Sequence, residues 1–222
     1  MAKTLTAEEK IQRAYDVLQI KNVMARHAYL HAASRHDIEM ETLWSHKKEN
    51  VSWGNMAGFQ VGRDVVWDYY VRPHVGVTPE PGCMFMHTLT TPIIEIAEDG
   101  ETAQAMWYTP GYGTGGPGGG EPSGNWMYER YAIDFVKEDG EWKIWHFFVG
   151  TDFAYEAGTE YSENGPGGPP PAEGPAPRGV LRVPGIYTSK YGWSPYPHVP
   201  HPYETWTPEI GYGPEAFMKE GE

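Results

Sequence analysis

The stretch that decides the fold is Trp126-Met127-Tyr128-Glu129-Arg130-Tyr131-Ala132-Ile133-Asp134-Phe135-Val136-Lys137-Glu138-Asp139-Gly140-Glu141-Trp142-Lys143-Ile144-Trp145-His146-Phe147-Phe148-Val149-Gly150-Thr151. Apolar and polar residues alternate on both sides of an Asp-Gly pair. Two strands with period two joined at residues that tolerate positive φ read as a β-hairpin. The same tetrapeptide, Glu98-Asp99-Gly100-Glu101, joins a strand over Met84–Ile96 to one over Thr102–Tyr108. This half of the chain is therefore an antiparallel sheet built from long hairpins.

Upstream the period changes to that of a helix. Thr6-Ala7-Glu8-Glu9 has the capping-box pattern. Ile11, Tyr15, Leu18, Val23, Met24 and Leu30 carry a helical repeat to about Arg35. A short helix is expected after Asp37, short strands at Val51–Trp53 and Phe59–Val61, and a third helix from Arg63 to Tyr70. Helices first, then hairpins, is an α+β order. Gly111–Gly124 reads as a glycine-rich hairpin connection or, alternatively, a lid over a pocket; no Gly-Lys-Ser/Thr follows it, so it is not a phosphate cradle.

Composition narrows the function. The chain has 222 residues and a net charge of −13 with no basic run, so nucleic acid and anionic membranes are poor partners. No apolar stretch is long enough to span a bilayer, and the start lacks the apolar core of a secretory signal. Cys83 is the single cysteine, which excludes an internal disulfide. A cytoplasmic location is expected. Aromatic residues make up 14% of the chain, through core packing or through a pocket for a flat ligand. From Gly165 the chain becomes rich in Pro yet keeps many Tyr and Trp. Residues 1–164 are expected to form the domain, and 165–222 a Pro/Gly linker with an aromatic arm that docks on its own domain or on a neighbouring subunit.

Strand parity selects candidate site residues. Placing Lys143 outside puts Trp142, Ile144, His146 and Phe148 inside. Placing Ile133 and Phe135 in the core sends Asp134 to solvent and Glu129 and Tyr131 inward; a bulge would reverse such an assignment. A carboxylate in an aromatic interior is costly unless paired or protonated, and its pKa rises toward the range useful for acid/base work. Trp53, Trp107, Tyr108 and Trp126 are expected to shape substrate-binding walls, although Trp107 and Tyr108 cannot both face inward. His27 and His31 lie four apart on a helix, a spacing compatible with metal ligation. No third ligand is evident, so packing or exposure is the better reading, and neither a metal nor a cofactor is expected.

Arg26-His27-Ala28-Tyr29, Arg35-His36-Asp37, Gly62-Arg63-Asp64-Val65-Val66, His87, and the hairpin from Arg130 to Ile144 together resemble the SnoaL-like (nuclear transport factor 2-like) family over residues 8–153. The resemblance implies a cone-shaped α+β barrel, helices packed in a strongly curved antiparallel sheet. Relatives include ketosteroid isomerases, scytalone dehydratase, polyketide cyclases and a lyase that releases formaldehyde from lignin-derived diarylpropanes; others only bind ligands or proteins. By this resemblance His87 occupies the position of a proton-transferring histidine, and Tyr29 that of a helix tyrosine that donates to a substrate oxygen. The isomerase's aspartate falls near Trp53, and Ser34 replaces an aspartate of the dehydratase helix, so those mechanisms do not carry over. The reading is a cofactor-independent lyase for a small phenolic substrate, losing water or formaldehyde. His87, Glu129, Tyr131, His146 and Tyr29 are its catalytic candidates, with Phe148 among the walls. Dehydration, isomerisation or cyclisation of a polyketide-like aromatic, and a non-catalytic binding or assembly protein, are the alternatives. A homo-oligomer, with a trimer favoured, is expected.

Overall fold

The computed structural model describes residues 5–55, 58–79, 81–114, 124–158, 180–181 and 197–217. Helix α1 spans Ala7–Ala32, and its capping box is formed: the Glu9 amide donates to Thr6 Oγ1 at 3.2 Å and the Thr6 amide to Glu9 Oε2 at 2.8 Å. Helix α2 (His36–Thr42) follows a tight turn at Ser34. Helix α3 (Arg63–Val66) continues through a π-turn at Trp67–Val71 and a 3-10 turn at Arg72–His74. Among the described residues, no helix is long and apolar enough to cross a membrane.

The strands are β1 (Ser52–Asn55), β2 (Gly58–Val61), β3 (Met84–His87), β4 (Thr90–Ile96), β5 (Thr102–Thr114), β6 (Gly124–Glu138), β7 (Glu141–Glu156) and β8 (Val180–Leu181). They form one curved, unclosed sheet in the order β3-β5-β6-β7-β1-β2-β8, with β4 also on β5. All pairs are antiparallel except β1 with β7. The two expected Asp-Gly turns are present, with φ of 76° at Gly100 and 83° at Gly140. The expected single strand over Met84–Ile96 is instead two, interrupted at Thr88 and Leu89, with Thr91 at φ 47°. Strand β5 runs on through Gly111 to Thr114, into the stretch read as a loop; residues 115–123 lie outside the described residues.

The central part of the sheet is buried on both faces, whereas β3 and most of β4 are exposed or half-buried. On the concave face Ile20, Met24, Trp44, Tyr131, Ile133, Phe135, Ile144 and Phe147 form the larger apolar cluster beneath the helices. On the convex face Phe59, Met106, Ala132 and Phe148 meet Tyr212 and Phe217 of residues 197–217, where α4 (Pro214–Phe217) is the last element. This segment lies on its own chain: the Glu98 amide donates to the Tyr203 carbonyl at 2.9 Å, and Phe217 packs against Phe148 with ring centres 4.3 Å apart. The expected domain boundary near residue 165 and the aromatics Tyr187, Tyr191, Trp193 and Tyr196 lie outside the described residues.

Strand β7 carries two bulges that correct the parity assignment. Asp134 pairs with His146 while Phe135 pairs with Ile144, so Trp145 is extra; Tyr128 pairs with Phe153 while Glu129 pairs with Thr151, so Asp152 is extra. Each inserted residue exchanges the two faces beyond it. Beyond Trp145 the concave residues are Phe147, Val149 and Thr151, and His146 and Phe148 turn to the convex side. Strand β6 keeps regular alternation, so Glu129 and Tyr131 face inward as expected. Asp134, expected in solvent, is fully buried because residues 197–217 cover it.

Candidate active site

The concave face and the helices line an open-mouthed cavity of about 620 Å³, within the size range of small-molecule sites. Trp53, Tyr69, Tyr70, Phe85, Tyr131 and Phe147 supply its aromatic walls. Its polar lining combines His27, His31, His74, His87 and Glu129 with Asn55, Gln60 and Thr151. Buried Gln60 Oε1 has no protein partner among the described residues.

His87 stands at the end of β3, opposite Gly111 of β5. A Cβ at Gly111 would lie 2.7 Å from His87 Nδ1, so this glycine makes room for the imidazole. Glu129 of β6 places Oε2 3.4 Å from His87 Nδ1, and its Oε1 accepts from the Thr151 hydroxyl at 3.1 Å. Burial pushes the Glu129 carboxyl up to about 7, partly offset by Thr151. Burial, reinforced by charge on His27, pushes His87 down to about 4. At neutral pH His87 is therefore a neutral imidazole beside a carboxyl group near its midpoint. Burial also holds the Tyr70 and Tyr131 phenols well above their usual range, so both remain hydroxyl donors.

The helical side of the cavity carries a second array. The i, i+4 spacing of His27 and His31 puts both on the cavity face of α1, with ring centres 5.7 Å apart. His31 Nδ1 lies 2.7 Å from His36 Nε2 on α2. Burial depresses both, His36 to about 4 and His31 well below its ordinary value. Glu39, fully buried on α2, lies 3.0 Å from His27 Nδ1 and accepts from the Trp44 indole at 3.0 Å. Burial opposes the Glu39 charge, but the charge and hydrogen bond of His27, with His36 and Trp44, bring its carboxyl below the ordinary value. Among the described residues, no three His, Cys, Asp or Glu are arranged to hold a metal ion.

The structure thus brings together His87, Glu129, Tyr131 and Trp53 from the sequence candidates, and leaves the others elsewhere. Tyr29 is 80% exposed. It lies two residues past His27, about 200° round the helix, and so points away from the cavity. His146 is sealed on the convex face, with Nδ1 2.9 Å from Asp134 Oδ2. Phe148 shares that face. Trp107 is buried against Phe135 at the concave core without lining the cavity, Tyr108 packs on Tyr128 on the opposite face, and half-exposed Trp126 packs on Tyr112. Sequence reasoning missed Glu39, His36, His74, Tyr69, Tyr70 and Gln60. The spacing of His27 and His31 was the one available signal.

The architecture has counterparts among solved structures. A candidate scytalone dehydratase of Novosphingobium aromaticivorans superposes with a TM-score of 0.54 at 13% identity, over 68% of this chain and 93% of its own. The hexachlorocyclohexane dehydrochlorinase LinA-type3 of Novosphingobium barchaimii gives 0.51 at 12% identity, over 68% and 96%. A candidate NTF2-like dehydratase of Streptomyces avermitilis gives 0.51 at 16% identity, over 62% and 97%. At these identities the likeness establishes the fold. None of the curated proteins compared matches the sequence significantly. The SnoaL-like domain family matches residues 12–147, more than half of the chain, and the protein belongs to that family.

Proposed function

We propose that this chain is a lyase that eliminates a small molecule from a phenolic substrate by general acid–base chemistry, with Glu129 as the base. The observation that carries this reading is the Glu129–His87 contact at 3.4 Å inside an aromatic cavity. A carboxyl group pushed up to about 7 is half ionised near neutrality and strong enough as a base to act there. Neutral His87 stands beside the carboxyl group and leaves Glu129 as the stronger base of the two. The walls fit flat rings: Trp53 stacks on Tyr70 with centres 5.0 Å apart, and Tyr131 meets Phe147 edge-on at 4.9 Å. The Tyr131 hydroxyl assists departure of a benzylic oxygen.

The cavity volume accommodates a two-ring substrate, which favours loss of formaldehyde from a diarylpropane diol over simple water loss. In that reaction Glu129 takes the proton of the terminal hydroxyl. The freed electron pair forms the carbonyl of formaldehyde, and the C–C bond electrons form the new double bond as the benzylic oxygen leaves.

The test is to incubate the protein with hydroxylated phenolic dimers and follow formaldehyde release and the absorbance of the conjugated product. Turnover by the wild type and loss of ~10²–10⁴-fold in kcat for Glu129→Gln are expected. Binding of these compounds without turnover would replace this reading with that of a ligand-binding protein.

A further inference from the structure

On the helical side of the cavity, the lining residue His27 is backed by Glu39, which makes a second carboxylate–imidazole pair. Glu39 Oε1 lies 3.0 Å from His27 Nδ1, and both side chains are at most 2% exposed. This contact fixes one nitrogen of the ring and leaves Nε2 as the chemically available one. Both ring nitrogens are buried and neither meets a well-aligned hydrogen-bond partner among the described residues, but Nδ1 faces Glu39, so Nε2 is the nitrogen that this cavity-lining side chain can offer to a ligand. A buried polar atom without a partner is uncommon in folded proteins and calls for a function. Phe147 and Tyr131 pack against the ring at 4.9 and 5.7 Å, which fixes its plane. Tyr131 is also 5.8 Å from His87, so it stands between the two pairs.

Resting on the elimination proposed above, we infer that His27, backed by Glu39, is the general acid that protonates the departing oxygen, and that the substrate presents an oxygen leaving group to the helical wall. A carboxylate at Nδ1 stabilises the imidazolium. Glu129 receives the proton of the terminal hydroxyl while the C–C bond supplies the electrons of the new double bond. The benzylic C–O bond breaks with its electron pair on oxygen, which takes the Nε2 proton and leaves as water. The products are a stilbene, formaldehyde and water. His27 is left neutral and Glu129 protonated, and transfer of that proton back to His27 restores the starting state. Glu39 touches no substrate and acts as a positioning residue.

A leaving-group comparison tests this. His27→Gln and, as a second variant, His27→Asn are assayed on two versions of one phenolic dimer, carrying a benzylic hydroxyl or a benzylic 4-nitrophenoxide. Nitrophenoxide departs without protonation. The expected loss in kcat is ~10²–10⁴-fold for the hydroxyl and under ~10-fold for the nitrophenoxide. Equal losses on both, or none, overturn the assignment. Glu39→Gln should reproduce part of the effect and move the alkaline limb of the pH–rate profile to lower pH, because the imidazolium loses its counter-charge.

If the wild type turns over neither compound, the lyase reading fails while His27 is still decided by 4-nitrophenol bound in the cavity. The wild type should lower the apparent pKa of the bound phenol by ~1 unit or more, a shift lost in the His27 variants. An unchanged pKa in the wild type overturns the inference even where the variants do not fold.

Discussion

Two carboxylate–histidine pairs sit on opposite faces of the same sheet, and they differ in what lies beyond them. On the concave face Glu129 and His87 border open space of about 620 Å³. On the convex face Asp134 lies 2.9 Å from His146 and also accepts from the Gln104 amide at 3.0 Å and the Tyr212 backbone amide at 2.7 Å. Trp206 and Gly213 close over His146; a Cβ at Gly213 would come within 2.9 Å of its ring. Both pairs are buried and both would pass a search for catalytic dyads by residue type. The Asp134 carboxylate is satisfied by fixed donors and pins residues 197–217 to the sheet, whereas Glu129 has the Thr151 hydroxyl, a looser imidazole contact and a raised pKa. Burial and pairing make a group costly; adjoining unfilled space makes it available to a substrate.

The comparison breaks most sharply in kinetics. Glu129→Gln is expected to lose ~10²–10⁴-fold in kcat on a phenolic dimer, and His146→Ala to stay within ~3-fold at a temperature where it is folded. A large kcat loss in His146→Ala would return the convex pair to the site. Stability should rank the two in reverse. His146→Ala removes one partner of a buried pair and is expected to cost about 3–5 kcal/mol in urea unfolding; a cost near zero would mean that the clamp does not hold the segment.

Dependence on pH separates the concave groups by sign. His36 and His87 have folded values near 4 against an ordinary 6.5. Their stabilising effect is present above 6.5 and is lost as pH falls from there toward 4. Glu129 runs the other way: its folded value of about 7 lies above the ordinary 4.5, so its contribution is present below 4.5 and lost as pH rises through 7. Glu129→Gln should therefore raise the Tm at pH 8, by an amount equivalent to at most about 3 kcal/mol, and leave it unchanged near pH 4. A fall in Tm at pH 8 would contradict the raised carboxyl. The smallest contrast is between two glycines, each of which makes room for one histidine. Gly213→Ala should cost about 1–2 kcal/mol and spare turnover, whereas Gly111→Ala, by displacing His87, should lower kcat about tenfold. Equal kinetic effects would erase the distinction between the faces.

The fold was legible because its signals are local. The Asp-Gly turns, the capping box at Thr6 and the alternation along β6 each act within a few residues, and each appears where expected. Strand β7 was legible as a strand but its faces were not. Trp145 and Asp152 are inserted by pairing with β6, and nothing in the sequence of β7 alone marks them as extra. This is why Glu129 and Tyr131 were placed correctly while His146 and Phe148 were exchanged with Phe147 and Val149. Tyr29 was carried by resemblance alone, and the face of α1 that holds His27 and His31 excludes it. The Glu39–His27 contact depends on how α2 folds back on α1, a tertiary event with no local periodicity. The convex cover was visible only as an excess of aromatic residues after residue 165, which says that the segment packs but not where.

The central claim is that Glu129 is held in the cavity as a carboxyl group poised near neutrality. Its titration can be followed in protein carrying 13C-labelled glutamate carboxyls, with Glu129→Gln identifying the resonance. The account predicts a midpoint at about 7. A midpoint at the ordinary 4.5 would contradict it, because a carboxylate fully ionised at neutral pH is not a group poised for proton transfer.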